Sequence, residues 1–148
     1  MAERRDGVSK ELDELSSTLV GDALDLLADG QDVNVLLVVE DAHGSVASYE
    51  FSDDSPDELL TAARERVEQL SAADGDSEAG LGAPQRYALV YEGMVADEDG
   101  AYQDALLLEF GEQGWKAYSA FSLYEGKGSG DNFAWTDPAP AGEIPPLL

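Results

Sequence analysis

His43 is the only histidine of this chain, so neither a histidine-based triad nor a site with several imidazole ligands can be assembled from it. Cysteine is absent, which removes thiolate nucleophiles, thiolate metal sites and disulfides in one step. His43 lies in Asp41-Ala42-His43-Gly44, with Asp and Gly where a type I turn wants them, and is expected as a turn residue at an exposed hairpin tip. Carboxylates are the chemistry left in quantity. Asp97, Glu98, Asp99 and Asp104 offer the hard oxygens that calcium takes, but counting from Asp97 the fifth position is Ala101, glycine arrives at the fourth and the twelfth is Leu108. The EF-hand order therefore fails, and Asp74-Gly75-Asp76-Ser77-Glu78 is equally out of pattern.

Gly126-Lys127-Gly128-Ser129-Gly130 has the glycines and lysine of a phosphate loop, yet Phe121 stands where the Walker spacing needs glycine, and Gly128 stands where it needs Ser or Thr. No helical pattern follows, so the stretch is expected as a flexible strand-exit loop. Glu92 and Glu109 differ from the other acids, since each sits inside a strand pattern between apolar neighbours; edge-facing or solvent-facing positions are expected for both. Tyr87, Tyr91, Trp115, Tyr118 and Tyr124 recur at strand spacing and are expected to pack a sheet. With 32 acids close carboxylate pairs arise in any fold, so pairing alone marks no acid–base site. No catalytic residue, cofactor-binding residue or metal ligand is assigned, and no cofactor is expected.

Elements to position these residues are legible. Leu12, Leu15, Leu19, Ala23 and Leu26 recur at three and four, with Val20, Leu24 and Leu27 alongside, predicting an amphipathic helix over 9–29 that Gly30 caps. Gly21 inside it marks close packing or a break. Val33 to Val39 and Val46 to Phe51 read as a hairpin around the Asp41–Gly44 turn. Ser55-Pro56-Asp57-Glu58 is a capping box with proline at the first helical position, and predicts a second helix over 56–72. Residues 72–85 have no periodicity and are expected to form a mobile loop. Arg86 to Val95, Tyr102 to Phe110 and Trp115 to Tyr124 form a three-stranded meander, and residues 127–148, with Pro138, Pro140, Pro145 and Pro146, an extended surface tail.

The order α-β-β-α-β-β-β predicts one α+β domain over 1–148, with a mostly antiparallel five-stranded sheet in two or three layers. A chain of 148 residues with 43% hydrophobic content buries a real core. Both alternating sets of the meander strands are apolar, so the sheet is covered on both faces, and a homodimer contact is expected on the face two helices leave less protected.

The formal net charge is −24, from 32 acids against 8 bases. The acids are spread: 12 in residues 1–50, 13 in 51–100 and 7 in 101–148. That pattern fits an acidified surface suited to a salty cytoplasm or a biased proteome better than a dedicated acidic interface. It also argues against direct binding to nucleic acid or to anionic membrane. Arg4 and Arg5 lead into Asp6 and Gly7 instead of an apolar segment, and the longest strongly apolar run, Val35 to Val39, is far below the roughly 20 residues of a membrane span. A cytoplasmic location is expected.

Tyr87-Ala88-Leu89-Val90-Tyr91-Glu92-Gly93 and Asp104-Ala105-Leu106-Leu107-Leu108-Glu109, within residues 86–124, resemble small uncharacterised bacterial proteins that share this two-strand core, a resemblance that implies no activity. The element order is similar to that of roadblock and longin domains without their final helix, and to small acidic secretion chaperones that bind clients as dimers. Together these features lead to the expectation of a non-enzymatic protein-binding module, an adaptor, inhibitor or chaperone, with a protein partner. The alternatives are a small carboxylate- or tyrosine-dependent enzyme and an acidic inhibitor of a basic nuclease.

Overall fold

The computed structural model describes residues 3–52, 54–96 and 98–148. Helix α1 (Lys10–Ala28) begins at Ser9, whose hydroxyl accepts from the Leu12 amide at 3.1 Å, and ends where Gly30, at φ 83°, takes the left-handed cap conformation. The helix runs unbroken through Gly21, and a Cβ built there meets nothing within 4 Å, so neither close packing nor a break explains that glycine. Strands β1 (Val35–Asp41) and β2 (Val46–Phe51) form the expected hairpin. Helix α2 (Pro56–Ala72) starts at Ser55, which accepts from Glu58 N, as the capping box predicts.

Strands β3 (Pro84–Ala96), β4 (Tyr102–Glu112) and β5 (Ala117–Glu125) form the meander, each paired antiparallel with the next. The sheet has seven strands instead of the five expected, because the Pro-rich segment does not lie loose. After a short 3₁₀ turn (Gly130–Asn132), β6 (Ala134–Trp135) and β7 (Ala139–Ile144) both pair with the outer edge of β5, giving the order β2-β1-β3-β4-β5-β6 with β7 beside β5. The register shifts between Ser119 and Ala120, opposite Gly142 and Pro140, so a bulge accommodates the proline in an edge strand. Between the two short strands Thr136 holds on to β5, donating its amide to Leu123 O and accepting from Leu123 N.

One helix covers each face. Leu19, Val20, Ala23, Leu24 and Leu27 of α1 pack on Ala88, Val90, Leu106, Leu108, Ala120 and Tyr124. Leu59, Ala63, Val67 and Leu70 of α2 pack on the alternate set, Val35, Leu37, Val39, Tyr87 and Leu89, together with Leu148. The two-sided apolar patterning of β3 thus ends as three layers, helix, sheet and helix. On the α2 side, Leu107, Phe121 and Leu123 of β4 and β5 are only half-buried. Among the described residues no helix is long and apolar enough to cross a membrane.

Candidate functional site

A single helix cannot roof six neighbouring strands, and α1, seated over β3 and β4, leaves a groove on each side. Toward β5 and β7 the groove encloses about 740 Å³ and is mainly apolar, with Val8, Val20, Leu108, Phe110, Tyr118 and Pro140 in its walls and Asp13 and Glu143 at its rim. Pro138, just before β7, and Pro140 and Gly142 within it also line the groove. Toward β1 and β2 the groove encloses about 760 Å³ and is acidic, lined by Glu11, Glu14, Asp22 and Glu40 with His43 and Arg86. His43 does sit at the hairpin turn, where its amide and that of Ser45 donate to the buried Asp41 carboxylate at 2.9 and 3.0 Å. Gly82 N adds a third donor at 2.8 Å, and these bonds, Gly82's foremost, hold the Asp41 carboxyl below its ordinary range.

Glu109 and Glu92 are neither edge-facing nor freely solvated. Glu109, 4% exposed on the α2 side, receives both Nε (3.0 Å) and Nη2 (2.5 Å) of Arg64 from α2, a bidentate pair that a lone strand glutamate does not advertise. Tyr91 donates to the same carboxylate over a long 3.4 Å, and burial together with the Glu109 charge pushes its phenol up to about 12. Glu92 faces the α1 side and accepts from Val33 N (2.8 Å), Lys127 Nζ (2.9 Å) and the Tyr124 hydroxyl (3.1 Å). Lys127 also donates to Asp32 at 2.7 Å, and its ammonium pKa is raised chiefly by that bond. The glycine-rich stretch expected to be a flexible exit loop is therefore tied down, for Gly128 N also donates to Leu27 O at 2.9 Å and the backbones of Gly30 and Gly128 touch. Both glycines have positive φ, which disfavours any other residue there, and a Cβ on Gly30 would stand a tight 3.2 Å from the Gly128 Cα.

A third network joins Arg86 to Glu40 and to Glu112, which in turn accepts from the Ser9 hydroxyl at the start of α1. Asp76, in the segment after α2, accepts from Glu78 N, Ala79 N and the Tyr49 hydroxyl, while its backbone pairs with Leu81. That acidic stretch builds a turn. Asp97, from which the calcium-loop spacing already failed in the sequence, lies outside the described residues; Asp104 is on β4 and Gly100 has a left-handed φ of 81°. Among the described residues no three carboxylate or imidazole side chains gather to hold a metal ion. A smaller pocket of about 250 Å³ at the start of α2 has Asp32, Asp54, Tyr91 and Glu92 among its lining residues, spaced too widely to form such a group. Of the aromatics expected in the sheet, Tyr87 and Tyr124 are buried, while Trp115 lies before β5 under the Arg5 guanidinium, 4.2 Å from its ring centre.

The grooves escaped the sequence reading because both depend on where one helix rests across a sheet. Comparison with family models, curated proteins and solved structures finds no match to the chain.

Proposed function

We propose that the chain is a non-enzymatic protein-binding module whose principal contact is the apolar groove between α1 and the β5–β7 edge. The observation that carries this reading is the groove itself, open, apolar in the middle and acidic at the rim, the form in which an amphipathic segment with basic flanks is taken up. Supporting it, Lys127, Tyr124 and Tyr91 are committed to carboxylates of the same chain, and the Tyr87 phenol is held neutral by burial in the core. Tyr91, the one tyrosine in the small pocket, is shifted up to about 12, away from the range in which a side chain exchanges protons efficiently at neutral pH. The tyrosine-dependent form of the enzyme alternative is weakened on that ground. The nuclease-inhibitor alternative would use the acidic groove on the other flank of α1, and a basic nuclease that protected Glu11 and Glu14 from carboxyl modification would favour it.

The test is selection of amphipathic peptides from a displayed library against the purified protein, followed by binding to a Ser17→Trp variant. Ser17 is exposed on the groove wall, so a tryptophan there fills the groove without touching the core. Loss of binding at unchanged melting temperature supports the groove, whereas undiminished binding, or selection of no peptide, overturns it. A homodimer through the strip of Leu107, Phe121 and Leu123 belongs to the same proposal. Two copies of net charge −24 repel, so sedimentation equilibrium should show association growing with salt.

A further inference from the structure

The two edges of the sheet are finished differently. On the β5 side the last strands carry Pro140 and a register shift, and β6 is two residues long, devices that discourage another chain from pairing there. On the other side β2 ends the order, paired with β1 from Val46 to Phe51 without a register shift, and contains neither proline nor lysine. The Asp41 amide donates to Ser45 O at 3.0 Å, so Asp41 and Ser45 form a hydrogen-bonded pair. Ladder bonds alternate from there: Ala47, Tyr49 and Phe51 turn their amides and carbonyls to β1, and Val46, Ser48 and Glu50 turn theirs outward. These three residues are exposed, and no strand or bridge among the described residues meets their outward backbone groups. The edge is open to an incoming extended chain.

A strand added there presents its side chains alternately to two unlike surroundings. On the α1 side Val46 and Ser48 line the acidic groove together with Glu11 and Asp22 of α1, and Glu50 follows them on the same face of the strand. Glu40 is taken by Arg86 and Glu14 faces Lys10, but no base among the described residues stands within salt-bridge distance of Glu11, Asp22 or Glu50. On the α2 side Tyr49 and Phe51 are half-buried against the core. We infer that the open edge of β2 takes up an extended segment of a partner protein in which basic residues alternate with apolar ones. Its backbone pairs with Val46, Ser48 and Glu50, its basic side chains point toward the carboxylates of Glu11, Asp22 and Glu50, and its apolar side chains extend the layer of Tyr49 and Phe51. A second copy of this chain is disfavoured as occupant, since β2 against β2 brings a second Glu50 and a second acidic groove where a base is wanted. The inference rests on the protein-binding reading but not on the apolar groove, which lies on the other flank of α1.

The test is binding, by fluorescence anisotropy, of a short labelled peptide of alternating arginine and valine, beside one version N-methylated on its arginines and another N-methylated on its valines. Both versions keep the charge and the side chains, and a strand edge pairs with only one of the two sets of amides. The expected result is that one version binds about tenfold or more weakly than the other. Loss on the arginines denotes antiparallel addition and loss on the valines parallel addition, and either supports the edge. Equal binding of the two versions would reduce the interaction to diffuse attraction by the acidic surface and overturn the proposal, as would no binding of the unmodified peptide, or equal binding of a glutamate–valine peptide. In the protein, Ser48→Pro removes an outward amide that the β1 ladder does not use and should weaken the unmodified peptide about as much; undiminished binding overturns the edge, and the methylated pair reads the same contact in the unaltered protein. Ser17→Trp separates the two sites: retained binding supports an edge independent of the apolar groove, and loss assigns the peptide to that groove and overturns the edge. Self-association of the protein alone that Ser48→Pro abolishes would give the edge to a second copy and likewise overturn the proposal.

Discussion

Tyr91 is where a single side chain most directly reports its surroundings. Its phenol is raised from 10.0 to about 12, by burial first and by the Glu109 carboxylate second, so the fold favours the neutral form. A group of this kind contributes stability that is complete below the unfolded pKa near 10 and is lost as pH rises toward 12. The loss should be on the order of 1 to 2 kcal/mol once solvent screening is allowed for. Tyr87 and Tyr124 are shifted in the same direction and add to the alkaline loss of both proteins, so the difference between wild type and Tyr91→Phe is the useful quantity. Urea unfolding through this pH window should show the wild type losing stability relative to the variant, and parallel curves would mean that Tyr91 titrates as it does in the unfolded chain.

At the scale of elements, α1 carries a removable defect. Gly21 has helical geometry, is exposed, and has open space where a Cβ would stand, so Gly21→Ala should stabilise the protein by about 1 kcal/mol in urea or thermal unfolding. A neutral or harmful result would show that the space is used by something outside this chain. The helices and the hairpin were legible because their signals are local: Ser55 to Glu58 is a cap whatever the fold, and Asp41 and Gly44 close their turn with a 3.2 Å bond. The last two strands were not legible. Ala139-Pro140-Ala141-Gly142-Glu143-Ile144 has poor strand propensity and becomes a strand only because the exposed edge of β5 offers it donors and acceptors. The Arg64–Glu109 pair was not legible, since a glutamate within a strand pattern reads as edge-facing or solvent-facing until the helix that carries Arg64 is seated over it. The site was less legible than the fold, as the two grooves arise from where α1 rests across the sheet.

For the molecule as a whole, the distribution of its few bases matters more than the number of acids. Arg64, Arg86, Lys116 and Lys127 are taken up by carboxylates of the same chain, Lys10 faces Glu14, and Arg4, Arg5 and Arg66 engage Trp115 and Tyr49. With four acids for every base, the remaining surface is self-repelling, and stability should rise with ionic strength as the range of that repulsion falls to about 8 Å at physiological salt. Thermal unfolding in sodium chloride, with sodium sulfate in parallel to reveal strengthened burial, should show most of the gain by a few tenths molar for simple screening. A midpoint that is flat or falls with salt would mean that ion pairs outweigh repulsion. The N-terminal segment adds a kinetic dimension. Arg4 donates to Trp115 O and Gly7 N to the Tyr118 hydroxyl across 111 residues of chain, and Arg5 bridges Trp115. Closing so long a loop is entropically costly and gains only a few contacts, so this clasp is expected to form after the meander it grips. An interaction made after the folding barrier leaves the folding rate alone and slows unfolding. Removing the clasp with Arg4→Ala and Arg5→Ala should therefore shorten the life of the native state while leaving the refolding rate nearly unchanged.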